Sequence, residues 1–291
     1  MKVGFIGIGN MGMGMAMNLL KENGQLMAWD MSEEKKAEIK AAGAEIPAGG
    51  QAELAKECDV VGLSLPAPQH VRAVVTGTDG LLSYMKAGSF ILDMSTIDPK
   101  TSQEMAEEAA KHGVTYIDNP VSGGKPASVG GTLSMMAGCT EEEIAPIRNL
   151  VDAMGKVQCL GKRGFGSALK LINNTLTFSH LVADAEAIIM AERLGVSDET
   201  FFDVILASSG ADFALNFKKA KVMNEDWGAA FTIELALKDM DLAAQLCKDV
   251  KSPNYSLNNA IQMYRMAQAY GLGKMDTISI VKMLREIMPL Q

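Results

Sequence analysis

The chain has 291 residues, of which 48% are apolar and 21% charged, and its formal net charge is −8 at pH 7. This is the composition of an ordinary globular protein, long enough for one large domain or two smaller ones. The negative charge and the lack of any Lys/Arg run argue against nucleic-acid binding, because phosphate recognition needs concentrated positive charge.

Neither the cysteines nor the histidines form a disulfide or metal-binding pattern. The 4 cysteines include no C-x-x-C pair, and the 3 histidines are not spaced as ligands. The N-terminus runs straight into an apolar strand without features of a signal peptide, and no stretch reaches the ~18 apolar residues of a membrane span. The sequence therefore predicts a cytoplasmic protein that binds no metal and no membrane.

The first pattern along the chain is typical of a dinucleotide-binding unit. An apolar strand, Lys2–Ile8, leads into a G-x-G-x-x-G turn and then a helix that stops at Gly24. The first glycine makes the tight turn, the second lets the backbone approach a pyrophosphate, and the third lets the helix pack on the strand; the helix N-terminus attracts the anion. A turn without a ligand is the alternative, which this context disfavours. The predicted cofactor contacts are Gly7, Ile8, Gly9, Asn10, Met11 and Gly12.

An acidic residue, Asp30, ends the next predicted strand, Gln25–Asp30. A carboxylate there accepts hydrogen bonds from the ribose hydroxyls of NAD and repels the 2′-phosphate of NADP. No Arg follows at positions 31 or 32 to receive that phosphate. NAD is therefore the predicted cofactor, although Asp30 also fits the N-cap of the helix that follows.

Strands and helices then alternate as far as residue 160, which predicts a parallel, doubly wound α/β sheet of the Rossmann type. Ligands of such sheets bind beyond the carboxyl ends of the strands. The loop residues Leu65, Pro66 and Thr96 follow predicted strands there, so they are candidate cofactor contacts; ordinary loop residues are the alternative.

Two adjacent glycines follow a serine in the segment Ser122, Gly123 and Gly124. Converging backbone N–H groups in such a segment form an anion-binding nest, which predicts that the serine hydroxyl and these amides hold a small carboxylate. A plain turn explains the glycines equally well.

The pattern changes after Gly166, where only helices are predicted. We expect a dinucleotide-binding domain over residues 1–163 and an all-helical domain for substrate binding and dimerisation over 164–291, beginning with a long interdomain helix. Lys170 and Asn174 lie four residues apart on that helix and therefore share a face. Lys170 is either a lysine extending to solvent or a proton donor beside a cofactor.

Five motifs, in order and at compatible spacing, make the whole chain resemble the β-hydroxyacid dehydrogenase family. They are Gly4–Gly12, Asp93–Pro99, Tyr116–Leu133, Gly164–Asn174 and Lys238–Ala243. The resemblance implies that Lys170 is the catalytic acid/base, that Asn174 and Ser122 to Gly124 bind substrate, and that Lys238 lies near the cofactor. It also implies a homodimer or homotetramer.

Two positions depart from the family pattern. The family usually has Ala at Asn119, and it commonly has Ser-Gly-Arg-Ser where this chain has Ser209-Gly210-Ala211-Asp212. The arginine is thus missing, and Asp212, next to its position, is a candidate substrate contact. The far end of the substrate is left open.

The resemblance implies hydride transfer between NAD and a small 3-hydroxy acid of the 3-hydroxyisobutyrate type. A reductase of a short aldehyde acid, such as tartronate semialdehyde, 2-formylglutarate or sulfolactaldehyde, is the first alternative. A dinucleotide-binding scaffold without catalysis is the second, although the presence of Lys170 and Asn174 argues against it. A 6-phosphogluconate-type decarboxylating enzyme would need a longer chain and a basic phosphate pocket.

Overall fold

A computed structural model describes residues 1–288 of the protein. The chain divides into two compact units, one comprising Met1–Lys170 and the other beginning at Leu171. Each unit has hydrophobic core clusters of its own.

The first unit is built on a five-stranded parallel sheet of spatial order β2-β1-β3-β4-β5. Its strands are β1 (Val3–Ile6), β2 (Met27–Trp29), β3 (Val60–Leu63), β4 (Phe90–Asp93) and β5 (Thr115–Asp118). Strands β1, β3, β4 and β5 are almost wholly buried, as expected when helices cover both faces of a parallel sheet. The predicted Rossmann-type fold is confirmed.

The helices of this sheet connect successive strands. They are α1 (Gly12–Asn23), α2 (Glu33–Ala41), α3 (Gly50–Glu57), α4 (Pro68–Thr76), a 3₁₀ turn at Leu81–Ser83, and α5 (Pro99–Lys111). The carboxyl ends of β1 and β3 lie side by side where the strand order reverses, which is where doubly wound sheets bind ligands.

Three further strands form a separate sheet of order β6-β7-β8, whereas the alternating pattern predicts a single parallel sheet. They are β6 (Val121–Ser122), β7 (Leu133–Ala137) and β8 (Gly155–Cys159), and β6 runs antiparallel to β7. Strand β6 has two residues, too few for any hydrophobic alternation to reveal it.

The connections of this second sheet also differ from the predicted pattern. A short helix, α6 (Gly124–Gly130), begins at the second of the two glycines that the sequence assigns to an anion-binding nest or a plain turn. The sequence of residues 141–154 predicts one helix, but the structure divides it into α7 (Glu141–Ile144), a 3₁₀ turn (Ala145–Ile147) and α8 (Arg148–Asp152). Pro146 lies within that turn, where it cannot continue the hydrogen bonding of an α-helix.

The long helix α9 (Phe165–Arg193) starts in the first unit and continues into the second, in which every described element is helical. The others are α10 (Asp198–Leu206), α11 (Phe213–Met223), α12 (Ile233–Asp249), α13 (Tyr255–Ala267), a π turn (Gln268–Leu272), a 3₁₀ turn (Thr277–Ser279) and α14 (Ile280–Ile287). Ser197, Asp212 and Thr232 cap α10, α11 and α12 through their side chains.

No described helix is both long and apolar enough to cross a membrane. Within residues 1–288, no three His, Cys, Asp or Glu side chains are grouped so that they could hold a metal ion.

Candidate functional site

The glycine turn after β1 has the geometry that its sequence predicts. Gly7 has φ +90°, and a Cβ at Gly12 would lie 1.9 Å from the carbonyl oxygen of Gly7, so both positions require glycine. Gly9 is exposed, and a Cβ there would meet nothing within 4 Å. No side chain caps the N-terminus of α1. A pyrophosphate needs open space beside helix N–H groups that no side chain already caps. Gly9 and the start of α1 provide both.

Asp30 lies beside this turn at the end of β2. Its Oδ2 accepts the N–H of Ile8 at 2.8 Å and its Oδ1 accepts the N–H of Ser32 at 2.8 Å. The N-cap of α2 is Ser32, whose hydroxyl accepts the N–H of Lys35. Asp30 is therefore not the N-cap of this helix. The carboxylate is instead fixed against the glycine turn, with lone pairs left over for a ribose.

Leu65, Pro66 and Thr96 follow the neighbouring strands β3 and β4 at the same edge of the sheet. A hydrogen-bond chain links these loops, because Leu65 N–H donates to Ser95 Oγ and Ser95 N–H donates to Asp93 Oδ1, both at 2.9 Å. Tyr116 Oη donates to the other oxygen of Asp93 at 2.5 Å. Burial raises the pKa of Asp93, against the lowering effect of these hydrogen bonds.

The segment predicted to bind a carboxylate forms the end of β6 and the start of α6. Gly123 has φ +129° and Gly124 has φ +69°, and Ser122 is half-buried. Helix α6 is tied to α1, because Ser128 Oγ donates to the carbonyl of Met11 at 2.6 Å and Asn18 Nδ2 donates to the carbonyl of Ser128 at 2.8 Å. The segment is therefore held in place relative to the helix that opens the dinucleotide turn.

Lys170 is the sixth residue of α9 and is half-buried. Asn174 lies four residues later, and its side chain is buried in the second unit. Asn174 Nδ2 donates to Asp239 Oδ2 at 2.7 Å, and Asn173 Nδ2 donates to Asn174 Oδ1 at 3.2 Å. The carboxamide of Asn174 therefore has one fixed orientation.

Asp239 also forms an ion pair with Lys238, whose Nζ lies 2.7 Å from Asp239 Oδ1. Only 1% of Asp239 is exposed, so the structure adds this buried carboxylate to the predicted residues Asn174 and Lys238. Sequence analysis missed its role, although Asp239 stands within the motif that begins at Lys238. Its hydrogen-bond partner Asn174 lies 65 residues earlier in the chain, and a local sequence pattern cannot predict a contact between residues so far apart.

Asp212, a predicted substrate contact, has a structural role in the second unit. Its Oδ1 accepts the N–H of Leu215 at 2.9 Å and so caps α11. Its side chain also faces Asp184, a largely buried carboxyl on α9. Burial, followed by the charge and hydrogen bonding of Asp212, raises the pKa of Asp184 to about 8.

This carboxyl pair predicts a stability change between pH 4 and pH 8. In the unfolded chain Asp184 releases its proton near pH 4, whereas in the folded chain it keeps the proton until about pH 8, so its contribution to stability falls as the pH rises through this interval. The Asp184→Asn variant stays neutral and still donates to Asp212. We expect it to raise the free energy of unfolding at pH 8 by about 2 kcal/mol, because partial hydration screens the full effect, and by much less at pH 5.

Urea unfolding of the wild type and of Asp184→Asn at pH 5 and pH 8 measures this difference. The matched control is Asp203→Asn, at an exposed carboxylate of α10 paired with Lys219, which should change stability equally at both pH values. An Asp184→Asn effect that is the same at pH 5 and pH 8 would contradict the prediction.

The residues of the first unit fit a dinucleotide. The glycine turn, Asp30, and the loops of Leu65, Pro66 and Thr96 all follow the carboxyl ends of adjacent strands of one sheet. The space at Gly9 suits a pyrophosphate, and the fixed carboxylate of Asp30 suits a ribose. The second unit brings Asn174, Asp239 and Lys238 together around one buried carboxylate.

Comparison with known proteins gives a match along nearly the whole chain. Residues 2–163 match the family model described as the NAD binding domain of 6-phosphogluconate dehydrogenase. Residues 164–284 match the model described as NAD-binding of NADP-dependent 3-hydroxyisobutyrate dehydrogenase.

Individual relatives agree with these models. The chain is 35% identical over 288 residues to 2-(hydroxymethyl)glutarate dehydrogenase of Eubacterium barkeri, covering 98% of this chain and 95% of the relative. It is 35% identical over 293 residues to human mitochondrial 3-hydroxyisobutyrate dehydrogenase, covering 98% and 87%. The crystal structure of 3-hydroxyisobutyrate dehydrogenase from Salmonella typhimurium superposes with a TM-score of 0.89 at 28% identity, covering 97% of this chain and 99% of that one.

Proposed function

Because this chain belongs to the β-hydroxyacid dehydrogenase family, whose members are NAD- or NADP-dependent oxidoreductases of small hydroxy acids, we propose that it oxidises a 3-hydroxy acid of the 3-hydroxyisobutyrate type with Lys170 as general acid/base. The chain is thus an oxidoreductase with an NAD-binding Rossmann unit. What is proposed is the substrate type, the role of each residue and the preference for NAD.

The observation that carries the proposal is the arrangement on α9. Lys170 is followed one helical turn later by Asn174, whose carboxamide is oriented by the buried Asp239. Burying the carboxylate of Asp239 costs free energy, because the charge loses its hydration. The need to orient a polar substrate through Asn174 explains why the fold keeps a charge at this position.

In the proposed mechanism each residue acts on a defined part of the substrate. NAD, when bound, would accept the hydride that leaves C3 of the substrate. Lys170 Nζ takes the proton of the C3 hydroxyl, and Asn174 orients the substrate with the donor and acceptor capacity that Asp239 and Asn173 leave free. The Ser122 hydroxyl and the amides of Gly123 and Gly124 hold the carboxylate.

The cofactor contacts follow from the same placement. Gly7 to Gly12 and the N-terminus of α1 hold the pyrophosphate, Asp30 accepts the ribose hydroxyls, and Leu65, Pro66 and Thr96 line the rest of the cofactor site. Lys238 is proposed to lie near the cofactor, with its charge balanced by Asp239. Asp212 remains a predicted substrate contact besides its role as the cap of α11.

Three coarser features complete the proposal. A domain boundary between residues 163 and 164 is supported by the family models, which meet there, whereas the compact units divide after Lys170, within α9. A homodimer or homotetramer is proposed from the family resemblance. A cytoplasmic location is proposed from the sequence alone.

The test follows NADH absorbance with a panel of 3-hydroxy acids, each assayed with NAD and with NADP. The panel contains 3-hydroxyisobutyrate, glycerate, 2-(hydroxymethyl)glutarate, serine and a sulfonated analogue. We expect turnover of a 3-hydroxy acid with preference for NAD, because Asp30 repels a 2′-phosphate. The corresponding aldehyde acids, assayed with NADH, test the reductase alternative.

Each outcome has a definite reading. Preference for NADP would contradict the assignment of Asp30, and faster reduction of an aldehyde acid would favour the reductase. Tight NAD binding without turnover of any acid would contradict the enzymatic proposal and favour a dinucleotide-binding scaffold.

A further inference from the structure

The carboxylate of Asp118 holds the beginning of α9. Asp118 is the last residue of β5, and only 1% of it is exposed. Its Oδ1 accepts the N–H of Gly164 at 2.9 Å, and its Oδ2 accepts the N–H of Ser167 at 3.0 Å. Both oxygens are therefore directed at the first turn of the helix that bears Lys170.

The helix cannot provide this cap itself. Gly164, which precedes the helix, and its first two residues, Phe165 and Gly166, include none of the Ser, Thr, Asp or Asn side chains that usually accept the first free N–H groups. A residue 46 positions away in the sequence supplies the acceptor instead. The Ser102 and Ser167 hydroxyls, 2.7 Å apart, add a second tie between α5 and the same turn.

The contact between Asp118 and α9 is so close that the neighbouring positions have no room for a side chain and are occupied by glycine. A Cβ at Gly138 would lie 2.2 Å from Asp118 Oδ1, and a Cβ at Gly166 would lie 2.1 Å from the carbonyl oxygen of Met136. Gly164 has φ +85°, a conformation that favours glycine. The start of α9 is therefore packed directly on the end of β5 and cannot slide along its axis without breaking both hydrogen bonds.

The charge state of the carboxyl suits this role. Burial raises the pKa of Asp118 to about 6, and the two amide hydrogen bonds act in the opposite direction. The side chain is therefore mainly ionised at neutral pH, and as an anion it accepts from two N–H groups and interacts favourably with the helix N-terminus.

We propose that Asp118 is a positioning residue, which fixes Lys170 relative to the ligand-binding edge of the sheet by clamping the first turn of α9. Lys170 lies three residues after Ser167, or about 4.5 Å along the helix axis. A displacement of about 1 Å at a reacting group costs up to a hundredfold in rate. The inference rests on the proposed role of Lys170.

The test is a double-mutant cycle between Asp118→Asn and Lys170→Ala. The asparagine keeps the size of the side chain but turns its NH₂ group towards one of the two amides. We expect Asp118→Asn to lower kcat by about ten- to a hundredfold with KM for NAD unchanged, because the glycine turn lies on another strand. In the Lys170→Ala background it should cause no further loss.

The readouts separate the inference from the proposed function. Unchanged kcat in Asp118→Asn, or an equal loss in both backgrounds, would overturn the positioning role while leaving that of Lys170 standing. Full turnover in Lys170→Ala would overturn the proposed function itself, and this inference with it.

A second pair of variants tests the contact from the helix side if Asp118→Asn does not fold. An ester in place of the Ser167 peptide N–H, introduced as the α-hydroxy analogue of serine, removes the amide that Asp118 Oδ2 accepts without adding a ring at this buried position. Ser167→Ala, the matched control, keeps the amide and removes only the hydroxyl. A kcat loss in the ester variant that clearly exceeds the loss in Ser167→Ala supports the clamp, and a loss no larger than in Ser167→Ala overturns it.

Discussion

Replacement of Lys170 by alanine should reduce kcat by about a hundred- to ten-thousandfold while NAD still binds. The physical reason is that Lys170 is proposed to move the hydroxyl proton, whereas the residues proposed to hold the cofactor, the glycine turn and Asp30, lie on other elements of the first unit. The measurements are NADH absorbance with the best acid of the panel and calorimetric titration with NAD. Added primary amines should restore part of the turnover, because they replace the missing base.

The control for this variant is another lysine close by in sequence. Lys162 is exposed and lies before the start of α9, so Lys162→Ala should leave kcat and NAD binding as in the wild type. Full turnover in Lys170→Ala, or a loss explained entirely by weaker NAD binding, would show that Lys170 is not the acid/base.

Alanine at Gly12 should destabilise the protein, whereas alanine at Gly9 should weaken NAD binding without loss of stability. A Cβ at Gly12 would lie 1.9 Å from the backbone oxygen of Gly7, and backbone cannot move away as a flexible side chain can. We expect the free energy of unfolding to fall by about 3 kcal/mol, seen as a fall of roughly 10 °C in the thermal midpoint.

At Gly9 the new methyl group meets no atom of any residue beyond its chain neighbours within 4 Å, so stability should not change.

The Gly9 variant tests where the pyrophosphate lies. Its methyl group occupies the space proposed for close approach of the cofactor, so KM for NAD should rise about tenfold or more, which corresponds to about 1.4 kcal/mol. The thermal midpoint without NAD should not change. NAD binding as tight as in the wild type would place the pyrophosphate elsewhere, and an unaltered midpoint in Gly12→Ala would contradict the packing argument.

The elements that sequence analysis located best are those whose signals are local. The glycine turn, the strand before it and the helix after it were all predicted, because turn geometry and hydrophobic periodicity act within a few residues. The regular apolar repeat of residues 233–249 also predicts a helix with these bounds, and α12 spans Ile233–Asp249, with Thr232 capping its start. Candidate site residues such as Lys170 and Asn174 can also be named from the sequence, but their hydrogen-bond partners cannot.

By itself, then, the sequence determined the fold class, the cofactor turn and the candidate residues Lys170 and Asn174. Only the tertiary structure decided that β6 pairs with β7 in a separate sheet, that Asp239 is buried against Asn174, and that Asp118 caps α9. Each of these depends on atoms brought together from distant parts of the chain. The free energy of a buried carboxylate is set by the partners that surround it after folding, and local sequence patterns do not report those partners.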